Sequence, residues 1–260
     1  MTPKIGDICI SKYNEVFTIV GYNKYSNVDI IYEDAPDFVI KTTITNIHKG
    51  DTYNPFRKVT CGRGYHGVGA PISIKGVKTE EYVKWHGMLS RCYGIPQSER
   101  GIKSVHCYRI NNIEVHPDWF NYQNFYKWWN DNILSLNGCS SILCLDKDLL
   151  GSSSDIYSDR TCCVLPYELN IAIQLSCKVY FDKRRNTYQV RTARTITNEP
   201  NYIGKVSTEE EGLHLYAKAK DKYIKDSYIK MGLKLPQEVE FNLLNFNAAE
   251  RIKQIKSKVQ

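Results

Sequence analysis

Short apolar runs separated by turn-forming residues dominate the first 60 residues. DICI, VFTIVGY, NVDIIYE and FVIKTTITNI are divided by KYNE, NKYSN and DAPD, which predicts four short strands. In the third run Val28, Ile30 and Tyr32 alternate with Asp29, Ile31 and Glu33, so one face of that strand should be buried. Strands this short and this closely spaced predict a small β-barrel, a structural or docking module.

The pattern changes after the glycine-rich CGRGYHGVGAP, residues 61 to 71. No Lys-Ser/Thr follows it and no strong helix opens directly after it, so it reads as a linker and not as a phosphate cradle. From Thr79 onward, Tyr82, Trp85, Met88, Leu89 and Cys92 recur every three or four residues, the spacing of an amphipathic helix. After what reads as a polar loop, IEVHPDWFNYQNFYKWWND predicts a short extended piece, Ile113 to Val115, and an aromatic-rich helix over about 121 to 130. Trp119, Phe120, Phe125, Trp128 and Trp129 are predicted core. The alternative, a base-stacking platform, asks for exposed rings on a basic surface, and this segment is not basic.

Residues 145 to 170, LDKDLLGSSSDIYSDRTCCVLPYELN, carry the candidate chemistry. An apolar run ends in Asp146 and Asp148, a small polar loop follows, then a β-prone segment, then a helix that includes Asn170. Strand, loop, strand and helix in this order can hold one divalent ion between hairpin and helix, and carboxylate and amide oxygens suit Mg²⁺ or Mn²⁺. The alternative is a turn bracketed by two aspartates, with Lys147 solvated or ion-paired.

Three β-prone runs, KVYFDKRRN, TYQVRTARTI and NYIGKV, come next, followed by the helical STEEEGLHLYAKAKDKYIKDSYIK. Leu213, Tyr216, Ala217 and Ala219 are predicted to face inward, and Ser207 with Glu210 has capping-box spacing. Lys183, Arg184, Arg185, Arg191 and Arg194 interleave with Tyr180 and Tyr188, a composition suited to a sheet lying against DNA. PQEVEFNLLNFNAAERIKQIKSKVQ reads as one helix after Pro236. Its pattern allows it to cap the preceding domain, pair with another protomer or follow a phosphate backbone.

Charge sharpens this picture. Of the net +7, residues 176 to 232 contribute twelve Lys/Arg against seven Asp/Glu and residues 233 to 260 five against three, while the earlier segments balance. A polyanion-binding surface is therefore expected after residue 175. The 42% apolar content is that of a globular protein, no run approaches the roughly 20 apolar residues of a membrane span, and the start lacks a signal peptide. These predict a soluble, non-secreted chain in the cytoplasm, with no membrane partner. Nine scattered cysteines without an export signal predict reduced thiols, buried or metal-bound.

YVKWHGMLSRCY (82 to 93), IEVHPDWFNYQNFYKWW (113 to 129), LDKD (145 to 148) and YSDRTCCVLPYELN (157 to 170) together resemble an HNH-endonuclease-related family found in bacteriophages. Members share a W-x-x-M-L-x-R-C-Y helix, a V-C-x-x-W-x-x-F-x-x-F segment, an L-D-K-D or L-D-R-I-D turn, and Y-S-P-x-T-C followed by an Asn. The opening GDICISKYNEVFTIVGY and the later GRGYHGVG are similar to the amino-terminal part of the same proteins, and segment 178 to 225 resembles the APETALA-type DNA-binding domain that often accompanies them. Pattern and resemblance together imply an α+β chain in four parts: a small SH3-like β-barrel module (1 to 60), an HNH-like ββα-metal module with flanking helices (61 to 175), a three-stranded sheet plus helix (176 to 232), and a C-terminal helix (233 to 260). The resemblance implies Asp146 as metal-binding carboxylate and Asn170 as the helix residue, with Lys147 where the family's first histidine falls. A lysine is cationic near neutral pH and is a poor base, so Asp148 or His116 would take that role. The family's RCY, VC and TC cysteines correspond to Cys92, His116 and Cys162, a possible structural zinc set with Cys107, Cys144 or Cys163 as fourth ligand; buried thiols are the alternative. The implied function is a phage-type, metal-dependent endonuclease acting on double-stranded DNA. The alternatives are a catalytically inactive DNA-binding protein of the same fold, or a phage factor that binds a host protein.

Overall fold

The computed structural model describes residues 3–24, 27–96, 98–136, 138–151, 155–175, 178–192 and 202–259. It is a mixed α+β structure of several small sheets, and it divides into two compact units. One comprises Met1–Val105 and Pro117–Tyr126, the other His106–His116 and Lys127–Gln260.

In the first unit β1 (Ile8–Ile10), β2 (Val16–Lys24), β3 (Asn27–Tyr32) and β4 (Ile40–Thr42) form an antiparallel meander. Val28, Ile30 and Tyr32 are buried as the alternation predicted, and they pack with Phe17, Ile19 and Ile44. Each fully buried side chain of this kind contributes about 1.5–3 kcal/mol. The sheet is open: β1 and β4 are its edges, and among the described residues no pairing closes the predicted barrel. The fourth apolar run also does not continue as strand. Thr43 turns the chain, and its side chain accepts from the Asn46 amide to cap α1 (Ile44–His48).

The glycine-rich stretch is not a slack linker. The Gln123 side chain donates to the His66 carbonyl (2.7 Å) and accepts from the Ala70 amide (2.7 Å). A Cβ on Gly64 would stand 2.5 Å from Leu89 and 2.8 Å from Trp85, so the backbone lies directly on aromatic core. A small hairpin of β5 (Ser73–Ile74) and β6 (Val77–Lys78) leads into α2 (Glu80–Tyr93), which Thr79 caps. Trp85, Met88, Leu89 and Cys92 form its buried face, and the Trp85 indole donates to the Trp119 carbonyl at 2.7 Å. The division between units falls within α3 (Glu99–Ile110) and α4 (Tyr122–Ile133). Trp119 and Phe125 meet edge to face, both buried as predicted, and Tyr122 is buried with them.

In the second unit β7 (Glu114–Val115) pairs in parallel with β9 (Ile156–Tyr157). The β8 strand (Leu143–Asp146) pairs antiparallel with β10 (Cys163–Pro166), setting Asp146 opposite Cys163. Between them stand β9 and the single-turn helix α5 (Asp148–Gly151). Directly after β10, α6 (Tyr167–Ile173) packs against both β8 and β10, burying Leu169, Ala172 and Ile173.

The three basic-segment runs form one antiparallel sheet, β11 (Lys178–Asp182), β12 (Thr187–Arg191) and β13 (Tyr202–Val206), backed by α7 (Glu209–Met231). Gly212 allows that packing, because a Cβ there would be 2.9 Å from Val179 and 3.4 Å from Val190. The capping box is one residue later than predicted. Thr208 accepts from the Glu211 amide, and the Glu211 carboxylate accepts from the amides of Thr208 and Ser207. The C-terminal segment is two helices, not one: α8 (Gln237–Leu244) and α9 (Ala248–Val259). The break comes where Asn247 accepts from the Glu250 amide and Asp221 of α7 accepts from the Ala248 amide at 2.8 Å, both starting a new helix.

Candidate functional site

Asp146 ends β8 and is 6% exposed. Its Oδ1 accepts from the amides of Asp148 (3.0 Å) and Leu149 (2.8 Å), so the carboxylate caps α5. Its Oδ2 receives no hydrogen bond from the described residues. Burial, and next the charge of Asp148, push its carboxyl up to about 6 against the pull of the two amides. Asp148 projects into solvent and pairs with Lys147, Nζ to Oδ1 at 2.6 Å. The Lys147 side chain is only 11% exposed. Burial pulls its ammonium down, but Asp148, Tyr108 and Asp155 outweigh that and raise it above the ordinary lysine value. Lys147 is therefore held protonated, which fits its poor suitability as a base. Tyr108, one of the groups acting on Lys147, stacks on Tyr157 with ring centres 6.4 Å apart and hydroxyls 3.0 Å from each other.

Asn170 lies half-buried on α6, the helix that crosses both strands. His116 follows β7, its amide donating to the Tyr157 carbonyl at 2.8 Å, while the Cys162 amide donates to the next carbonyl, Ser158, at 3.0 Å. His116 and Cys162 are thus tied by backbone to consecutive residues, and Cys92 belongs to the other unit. Burial pushes the Cys162 thiol up to about 12 and that of Cys163 far above its ordinary range. Cys144 is half-buried on β8, and Cys107 is exposed on α3. Among the described residues no three His, Cys, Asp or Glu side chains converge as a metal-binding group.

The sheet register separates the basic residues by face. Val179 and Val190 lie under α7, so Tyr180, Gln189 and Lys205, paired in that order across the strands, line the opposite face. Arg191 joins them, donating to the Gln189 side chain at 3.2 Å, and Gln189 donates in turn to Asp182 at 2.9 Å. Lys183, Arg184 and Arg185 form the exposed β11–β12 turn, where the Asp182 side chain accepts from the Arg184 amide. Tyr188 faces the α7 side and packs on Phe181, 5.0 Å between ring centres. Arg194 lies outside the described residues. Lys205 and Gln189 escaped the sequence reading because their place on this face depends on cross-strand register. Among the described residues no helix is long and apolar enough to cross a membrane. No protein-family model matches the chain, and neither a curated protein nor a solved structure does.

Proposed function

We propose that the chain is a metal-dependent DNA endonuclease related to the HNH type. The observation that carries this reading is a buried carboxylate, Asp146, with one oxygen unengaged among the described residues, at the end of a two-stranded antiparallel ladder on which the next helix packs. Asp146, Asp148 and Asn170 carry oxygen donors of the kind Mg²⁺ or Mn²⁺ takes. Such an ion, when bound, would polarise the scissile phosphate and stabilise the leaving oxygen. Lys147 contributes fixed positive charge beside the phosphate path, and His116 is the group left to accept a proton from water. The open sheet face of Tyr180, Gln189, Arg191 and Lys205, with the Lys183–Arg185 turn, would hold the DNA backbone. The protein would act in the cytoplasm of a phage-infected bacterium.

A second reading, a non-catalytic DNA-binding protein, is favoured by the Lys147–Asp148 pair and by the capping duty of Asp146 Oδ1. A host-protein docking role for the N-terminal β module is supported by the exposed Ile8 and Ile10 on edge strand β1. Plasmid nicking with Mg²⁺ or Mn²⁺ tests the first reading. Wild type should cut, and Asp146→Ala and Asp148→Ala should not; wild-type cutting no faster than these variants would remove the nuclease and leave the second reading.

A further inference from the structure

A single-turn helix cannot satisfy its own ends, because the last four carbonyls of any α-helix lack intrahelical partners. In α5 the amide side is held by Asp146, and the carbonyl side is held from about a hundred residues away. Arg251 of α9 donates from Nη1 to the Asp148 carbonyl and from Nη2 to the Leu149 carbonyl, the latter at 2.8 Å. Its guanidinium lies 4.4 Å from the centre of the Phe246 ring, which limits the rotamers open to it. The planar fork suits two neighbouring carbonyls in a way a lysine cannot reproduce. The start of α9 is itself fastened to α7 through Asp221 and Ala248, α8 packs on both α5 and α7, and α7 backs the basic sheet.

We infer that Arg251 is a positioning residue that holds the Asp146 turn, making the C-terminal helix part of the site and linking it to the helix behind the basic sheet. The inference rests on the reading of Asp146 as the carboxylate of that site. Arg251 touches main-chain carbonyls and no reacting atom. Its effect is to fix where Asp146 and Asp148 stand relative to each other.

Full-length Arg251→Ala and Arg251→Lys are compared with wild type by amide hydrogen exchange, DNA affinity without metal, and plasmid nicking. In Arg251→Ala the Asp148 and Leu149 amides should exchange about tenfold faster or more, because two charge-assisted hydrogen bonds are lost. Amides in the middle of α7 should not change, and DNA affinity should stay within about twofold, since the sheet face is untouched. Turnover should fall by about tenfold or more at unchanged KM, as misplacement of catalytic groups produces, with partial recovery in Arg251→Lys. Unchanged exchange at Asp148 and Leu149, or loosening spread evenly through α7, would overturn the inference. If wild type does not nick at all, the nuclease reading fails by itself, and the exchange measurement still decides the clamp.

Discussion

Replacing Lys220 with methionine should stabilise the protein. Lys220 sits on the inner face of α7 between Tyr216 and Ile224 and is 6% exposed. Among the described residues its ammonium makes no hydrogen bond or ion pair, and the Tyr223 ring centre is 5.9 Å away. Burial pulls its pKa from the ordinary 10.5 down to about 8. That displacement corresponds to about 3 kcal/mol of unfavourable burial when the group is charged, and water reaching the ammonium reduces it to about 2–3 kcal/mol. The folded-state pKa lies below the unfolded one, so between about 8 and 10.5 the unfolded chain binds more protons and wild-type stability rises with pH. Below about pH 8 both states are protonated and the full cost is present. Methionine has a similar shape and no charge, so it removes the cost at about pH 7 and the rise above about pH 8. Urea unfolding of both proteins across this range measures the difference, in which the titration of other groups cancels. A methionine variant no more stable than wild type at neutral pH, or a difference that does not shrink as pH rises, would refute the reasoning.

Three other outcomes follow from named contacts. Asp146→Ala should lose about 1–2 kcal/mol in thermal unfolding through the lost α5 cap, whereas Asp146→Asn keeps a capping oxygen and should retain stability while losing cleavage. Arg191→Ala and Lys205→Ala should each lower the slope of log affinity against log salt by about 1, measured by fluorescence anisotropy on duplex DNA; an unchanged slope would place the DNA on another surface. Thr208→Ala should cost about 1 kcal/mol in urea unfolding, and Ser207→Ala little, because the helix cap is Thr208.

Local periodicity made much of the fold legible. The alternation at Val28, Ile30 and Tyr32, the three-and-four spacing of Trp85, Met88, Leu89 and Cys92, and the three runs of the basic sheet each reflect a backbone repeat that a few residues suffice to set. The order of hairpin and helix around Asp146 was legible for the same reason. Other features depend on partners distant in the chain. The break between α8 and α9 is held partly by Asp221, and the glycine-rich stretch is packed because Gln123 and Trp85 lie against it. Tyr188 and Lys205 exchange importance because strand register, not composition, assigns a side chain to a face. The burial of Lys220 follows from which side of a long, weakly patterned helix meets the sheet and the neighbouring helices. Sequence alone thus determined most of the strands and helices and the charge they carry, since these come from interactions a few residues apart. Tertiary structure decided that Arg251 meets the Asp146 turn, since that contact forms only when segments about a hundred residues apart are packed together.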